Sequence, residues 1–355
     1  VPATATSSLS RRPIVPDNSP DFVKRVTSLI LAGLGDRLPV SALPVDGTFV
    51  TGTSRYEKRG IAQTIPIWDP NVCIQCGLCS LLCPHAAIRS KAFPEAACQS
   101  NAPDSFQTLA WSGKDLPDYR MAIQVAPDDC TGCGVCVDVC PARNKEIASR
   151  KAINMLPRLE HLDRERANWD YFLSMPEVDR AALKPDQLNA SQLMLPLFEF
   201  SGACAGCGET PYIKLLTQYF GDRTIIANAT GCSSIFGGNL PTTPYCTDAS
   251  GRGPAWANSL FEDNAEFGLG MRLAADAQQH LAQRLLRENA EVIGADFVTA
   301  ILSADQSHEA GIATLRQHVA ALKQRLHQVS FPNSAMLSSV VESLIRRSVW
   351  IVGGD

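Results

Sequence analysis

Apolar residues first recur at helical spacing at Phe22, Val26, Leu29 and Ile30. Ser19-Pro20-Asp21 supplies a start and Gly33 and Gly35 a stop, which predicts a helix over about 21–32. Residues 36–70 are rich in Pro, Gly and Thr and read as extended, loop-rich chain. A cysteine-rich block follows over about 71–145. Residues 146–200 read as a charged helical connector, interrupted at Pro157, Pro176, Pro185 and Pro196. The character changes near residue 200. Glu209 to Phe220 reads as a helix closed by Gly221, and Thr224-Ile225-Ile226-Ala227 as a buried strand. Residues 231–254 are loop-rich. Helices are expected at about 262–292, 308–328 and 336–347, then a strand over Ser348-Val349-Trp350-Ile351-Val352. Helices alternating with short apolar strands point to an α/β layer, here incomplete. Four segments result: 1–69, 70–145, 146–199 and 200–355.

Composition narrows the class. With 45% hydrophobic and 19% charged residues the chain is not wholly disordered. No apolar run approaches the roughly 18 residues of a membrane span. Lys and Arg number 32 against 36 Asp and Glu, without basic blocks, so there is no electrostatic case for nucleic acid. The N-terminus lacks the pattern of a signal peptide. The 13 cysteines all lie between Cys73 and Cys246. An odd number in C-x-x-C clusters fits a disulfide framework poorly and implies a reducing, cytoplasmic setting. The chain starts at Val1 rather than Met and stops at Gly354-Asp355 directly after an apolar run, so it reads as a fragment of something longer.

One cysteine motif occurs twice, as Cys73-x₂-Cys76-x₂-Cys79-x₃-Cys83-Pro84 and Cys130-x₂-Cys133-x₂-Cys136-x₃-Cys140-Pro141. A cubane offers four iron corners, and three cysteines at this spacing let one tight loop wrap three of them. The fourth, before Pro, is expected to start a helix and reach the other cluster. By that rule Cys73, Cys76, Cys79 and Cys140 hold one [4Fe–4S] cluster, and Cys130, Cys133, Cys136 and Cys83 the second. Gly77, Gly132 and Gly134 permit close backbone approach, so amide N–H groups can point at sulfur. Zinc sites use C-x₂-C pairs rather than such triplets. An insertion, 84–129, separates the copies, and Cys98 within it reads as an ordinary thiol. A third group, Cys204 and Cys207 with the distant Cys232, suits a redox dithiol, a zinc site or part of a cluster. Cys246 is available, but no motif recommends it.

Several stretches carry a resemblance. They are Leu38–Ser41 with Pro44–Phe49, Glu57-Lys58-Arg59, Trp68-Asp69-Pro70, Cys83–Arg89, Gly202–Pro211, and the long run Gly251–Gly268. From about residue 21 onward the chain resembles the pyruvate:ferredoxin (flavodoxin) branch of the 2-oxoacid:ferredoxin oxidoreductases. That resemblance implies an α+β ferredoxin-like two-cluster domain followed by a partial α/β thiamine-diphosphate-binding domain. It implies decarboxylation of pyruvate on thiamine diphosphate with Mg²⁺, transfer of the acetyl group to coenzyme A, and electrons passed through three [4Fe–4S] clusters to ferredoxin or flavodoxin, in a homodimer when full length. Cys204, Cys207 and Cys232 match three ligands of the cluster nearest thiamine, whose fourth ligand lies beyond this chain. Asp355 resembles the Mg²⁺ ligand of a Gly-Asp-Gly motif. Glu209 matches a position that approaches the cofactor, although a carboxylate opening a helix also suits the helix dipole. Asn258, Glu262 and Asn264 are further candidates for that site. The family's activating Glu lies outside this sequence, so the chain alone is expected to be inactive. A stand-alone polyferredoxin-like protein is the rival reading, and an oxidoreductase for another 2-oxoacid the rival within the class.

Overall fold

The π-helical turn over Val23–Thr27 precedes α1 (Ser28–Leu31) and shifts the first expected helix out of phase. Val23, Val26 and Thr27 are buried, whereas Phe22, Leu29 and Ile30 are half-buried. The protein is described by a computed structural model over residues 13–98, 101–184, 186–238 and 241–353. Pro185, Gly354 and Asp355, all singled out above, lie outside those residues.

Within the stretch expected as loop, β1 (Thr64–Trp68) is a strand. Next come α2 (Leu78–Leu81), β2 (Ile88–Pro94), β3 (Leu109–Ala110), β4 (Tyr119–Val125), α3 (Val135–Asp138) and β5 (Ile153–Pro157). The 84–129 insertion supplies an antiparallel sheet ordered β2-β4-β3, with Ile88 opposite Val125. β1 pairs antiparallel with β5, Thr64 opposite Pro157. So the charged connector begins as a strand, and only α4 (Arg158–Ser174) makes it helical. The helices expected after Cys83-Pro84 and Cys140-Pro141 do not form. α2 and α3 instead precede the fourth cysteine of each motif. Past Cys83 the chain turns because Ala86 sits at φ 50°, a left-handed conformation that no helix continues through, and β2 follows. The core here is built from Ile65, Phe93, Ala122 and Phe172 around the cysteine loops, with Leu193 beyond α5 (Leu188–Ser191) closing it.

The second half is an α/β region with a parallel sheet. α6 (Thr210–Phe220) leads to β6 (Thr224–Ala229), then α7 (Cys232–Gly237) and β7 (Ala255–Ser259). α7 and β7 were not legible as elements in the sequence. Five helices follow, α8 (Asn264–Glu288), α9 (Ala290–Ile293), α10 (Ala295–Leu302), α11 (Glu309–Gln328) and α12 (Ser334–Val340), before β8 (Ser348–Val352). Gly294, at φ 113°, separates α9 from α10. Leu286, Leu315 and Leu322 centre a helical core beside the sheet. The strand order is β7-β6-β8, all parallel, with Asn228 of β6 opposite Asn258 on one side and Val352 on the other. The chain leaves β6 towards β7 and returns on its far side as β8. A reversal of strand order of this kind marks where open α/β sheets form a ligand crevice, at the carboxyl ends of their strands.

Candidate metal centre

Each cysteine loop is shaped by left-handed residues. Gly77 and Gly134 sit at φ 77° and 79°, and Gly132 at φ 71°. The first copy has Gln75 where the second has Gly132, and Gln75 adopts φ 59°. Its side chain compensates for the strain, since Nε2 donates to the Ala110 carbonyl at 2.7 Å and Oε1 accepts from the Ser112 N–H at 2.9 Å. Both copies then aim an equivalent amide at sulfur. The Gln75 N–H donates to Cys73 Sγ and the Gly132 N–H to Cys130 Sγ, each at 3.4 Å. The sequence reading passed over Gln75, although its alignment with Gly132 was the available signal.

The fold sorts the eight motif cysteines crosswise. Cys73 faces Cys76 and Cys140, and Cys79 faces Cys73 and Cys76. Cys130 faces Cys83 and Cys133, and Cys136 faces Cys83, Cys130 and Cys133. Cys136 also faces Cys79, so the two sets adjoin. Burial pushes the Cys79 and Cys130 thiols up to about 12. Burial, then the neighbouring sulfurs, raises Cys136 further. Such thiols release their protons only to a metal that replaces them. Among the described residues no three His, Cys, Asp or Glu come together as a site for a single metal ion. None of the cysteines is in a disulfide. The donor set and spacing therefore fit two cubanes. Cys83, Cys130, Cys133 and Cys136 line one shared cavity with Pro66, Ile88 and Val125 as apolar walls.

Cys204 and Cys207 share one turn, closed by the Cys207 N–H to the Cys204 carbonyl at 3.0 Å. Cys232 begins α7, just past β6, and both it and Cys204 are exposed. A side chain added at Gly206 would meet Val135 at 3.7 Å and Cys133 at 3.8 Å, so this turn lies on the second cysteine loop. Between them sits His85, whose Nδ1 is 3.2 Å from the Ser201 carbonyl. Burial lowers its pKa to about 4, and the imidazole is neutral. Glu209 stands half-buried at the start of α6, without a side-chain cap bond to it, beside Tyr245, whose phenol burial and that carboxylate both push up. Cys98 is exposed, and Cys246 is buried with its thiol pushed up to about 12 by burial.

At the sheet's carboxyl edge, Asn228 Nδ2 donates to Asn258 Oδ1 at 2.8 Å, and Asn264 Nδ2 to the Val352 carbonyl at 3.3 Å. Glu262 lies in the short turn Phe261–Asp263 next to them. This edge thus gathers three strand ends, while Asp355 is outside the described residues.

A family model described as a 4Fe–4S dicluster domain matches residues 72–144. A second, EKR, described as a domain of unknown function, matches residues 8–62. The chain therefore contains a dicluster iron–sulfur domain, joined to an α/β region with a parallel sheet. It is 54% identical over 356 residues to the putative pyruvate-flavodoxin oxidoreductase of Synechocystis sp., covering 100% of this chain and 30% of that protein. It is 54% identical over 348 residues to the probable pyruvate-flavodoxin oxidoreductase of Escherichia coli K12, 98% of this chain and 29% of that one. The pyruvate:ferredoxin oxidoreductase of Moorella thermoacetica is 45% identical over 365 residues, 100% of this chain and 30% of its own length. Over nearly its whole length the chain is thus similar to pyruvate-flavodoxin and pyruvate:ferredoxin oxidoreductases, and it spans about 30% of the length of these relatives. Among the described residues no helix is long and apolar enough to cross a membrane.

Proposed function

We propose that this chain is the electron-relay part of a pyruvate-flavodoxin or pyruvate:ferredoxin oxidoreductase. The observation that carries the proposal is the crosswise facing of Cys73 with Cys140 and of Cys83 with Cys130 and Cys136. In this reading Cys73, Cys76, Cys79 and Cys140 hold one [4Fe–4S] cluster, and Cys83, Cys130, Cys133 and Cys136 the other. When bound, such clusters accept and pass on one electron at a time. The Gln75 and Gly132 amides stabilise the thiolates, and apolar walls keep water from the sulfurs. Cys204, Cys207 and Cys232 supply three ligands of a further cluster. The packing of Gly206 on the second loop supports a relay from that cluster to the second and then the first.

The same reading places thiamine diphosphate and Mg²⁺ at the carboxyl edge of β6 and β8, with Asp355 a metal ligand and Glu209 near the cofactor. Thiamine diphosphate would supply the carbon nucleophile for decarboxylating a 2-oxoacid. Segments 1–69, 70–145, 146–199 and 200–355 then serve as lead-in, cluster domain, connector and the first part of a thiamine-diphosphate domain. Pyruvate, coenzyme A and an acidic flavodoxin or ferredoxin are the partners of the whole enzyme, a cytoplasmic homodimer. Anaerobic reconstitution with iron and sulfide tests the core of this. About eight iron per chain in the two outer clusters is expected, with broad visible absorption bleached by dithionite. Stoichiometric zinc without that absorption would overturn it.

A further inference from the structure

Lys214 on α6 is 2% exposed. Its ammonium donates to the Ser80 carbonyl of α2. An ammonium has three donors and normally seeks a carboxylate when buried. Among the described residues no carboxylate pairs with it. Glu199, the buried carboxylate beside Arg89, is already committed to Arg89 and Arg55. The charged and titratable groups that face Lys214 are Cys83, Arg89 and Cys79. Thiolates at Cys79 and Cys83 favour the charged form of an ammonium held beside them.

The two sulfurs matter because they belong to different sets. Cys79 sits with Cys73 and Cys76, and Cys83 with Cys130 and Cys136. A cubane held by four thiolates is an anion, and its one-electron reduction adds a further negative charge without needing a proton. A fixed cation at both clusters in a water-poor interior favours the reduced state of each. We propose that Lys214 is the shared counter-charge of the two outer clusters and sets the potentials of both. This rests on the two-cluster reading above. It also gives α6 a role that its position foreshadows. The helix starts directly after the Cys204–Cys207 turn and delivers its charge into the neighbouring cysteine domain. The plainer alternative is that Lys214 only caps a carbonyl of α2.

The test is an electron-paramagnetic-resonance-monitored dithionite titration of the cluster-loaded, full-length protein carrying Lys214→Met, Lys214→Gln or Lys214→Arg. Gln keeps a donor for Ser80 but loses the charge; Arg keeps the charge. Expected are wild-type iron and sulfide contents, midpoint potentials of both clusters shifted downward in Met and Gln, and near-wild-type potentials in Arg. Wild-type potentials in Met or Gln, or a shift confined to one cluster, would overturn the proposal. Loss of iron in Met and Gln but not in Arg supports it, because the charge is then required for loading. Loss in all three overturns it in favour of packing. Absence of iron from the wild-type protein would instead sink the cluster reading itself.

Discussion

Lys58 Nζ lies 2.6 Å from Asp129 Oδ2, one residue before Cys130. The same short segment makes other ties. Arg59 donates to the Phe200 and Ser201 carbonyls at 3.1 Å, and the Gly60 N–H to the Asp128 carbonyl at 2.8 Å. Glu57-Lys58-Arg59 therefore braces the start of the second cysteine loop against the stretch that leads to Cys204. Lys58→Met leaves the Asp129 carboxylate, 3% exposed, without its cation. Because Lys58 itself is 34% exposed, solvent screens part of the pair. The expected loss is about 2 kcal/mol in urea unfolding, with much of it returned in the Lys58→Met, Asp129→Asn double variant. Equal losses in the single and double variants would show that the pair does not couple.

Glu199 presents a sharper case. It is buried between Arg89 and Arg55, and Arg89 also lies over the Trp169 and Phe200 rings at 5.3 and 5.2 Å. Burial raises the carboxyl pKa, but the two guanidinium groups outweigh it and hold it below the ordinary range. Glu199→Gln strands the Arg89 cation in the interior, while Arg55, 43% exposed, turns to solvent, at an expected cost of about 3–5 kcal/mol. Arg25→Ala, whose partner Asp21 is as exposed as Arg25 itself at 78%, should change stability by less than about 0.5 kcal/mol. Similar urea midpoints for the two variants would contradict this ranking.

The sequence revealed the parts whose information is local. Cysteine spacing marks the dicluster domain, and α6 and α11 each carry their own periodicity and ends. β1 was missed because its partner, β5, lies far along the chain and because Pro66 breaks the look of a strand. β7 was missed because Ala255-Trp256-Ala257-Asn258-Ser259 has weak strand propensity and depends on β6 for its pairing. Lys214 looks like an ordinary polar position on an amphipathic helix. Only the docking of α6 against α2 turns it into a buried charge beside two cysteines. The crossed facing of Cys83 and Cys140 was legible, since the repeat of the motif itself implies exchange.

Acid sensitivity should differ between regions. Burial raises the Asp222 pKa, but Arg316 and Arg223, at 2.6 and 2.9 Å, and nearby Arg180 reverse that and hold it low. A depressed carboxyl contributes stability that is complete above its unfolded value of about 3.9 and is lost as pH falls through the folded value. The stability gap between wild type and Asp222→Asn should therefore stay flat from about pH 8 to about pH 5 and narrow only below that. A gap that already narrows at pH 6 would show that the carboxyl is not depressed.

The two cysteine loops offer a matched pair of glycines with different surroundings. Gly77 and Gly134 follow the second cysteine of each motif at φ 77° and 79°, so alanine at either meets the same left-handed strain of about 1–2 kcal/mol. At Gly134 an added methyl meets nothing within 4 Å. At Gly77 it lies 3.0 Å from the Asn189 backbone and 3.2 Å from Leu188, where α5 presses on the loop. Backbone cannot yield as a flexible side chain can, so Gly77→Ala must displace either α5 or the Cys76–Cys79 turn. Gly134→Ala is expected to load about eight iron and lose little stability beyond the strain. Gly77→Ala should retain about four, the first cluster being lost while the second keeps its resonance signal. Iron analysis with spectroscopy on the reduced proteins separates the outcomes. Equal loading in both variants would mean that α5 does not hold the first loop in place.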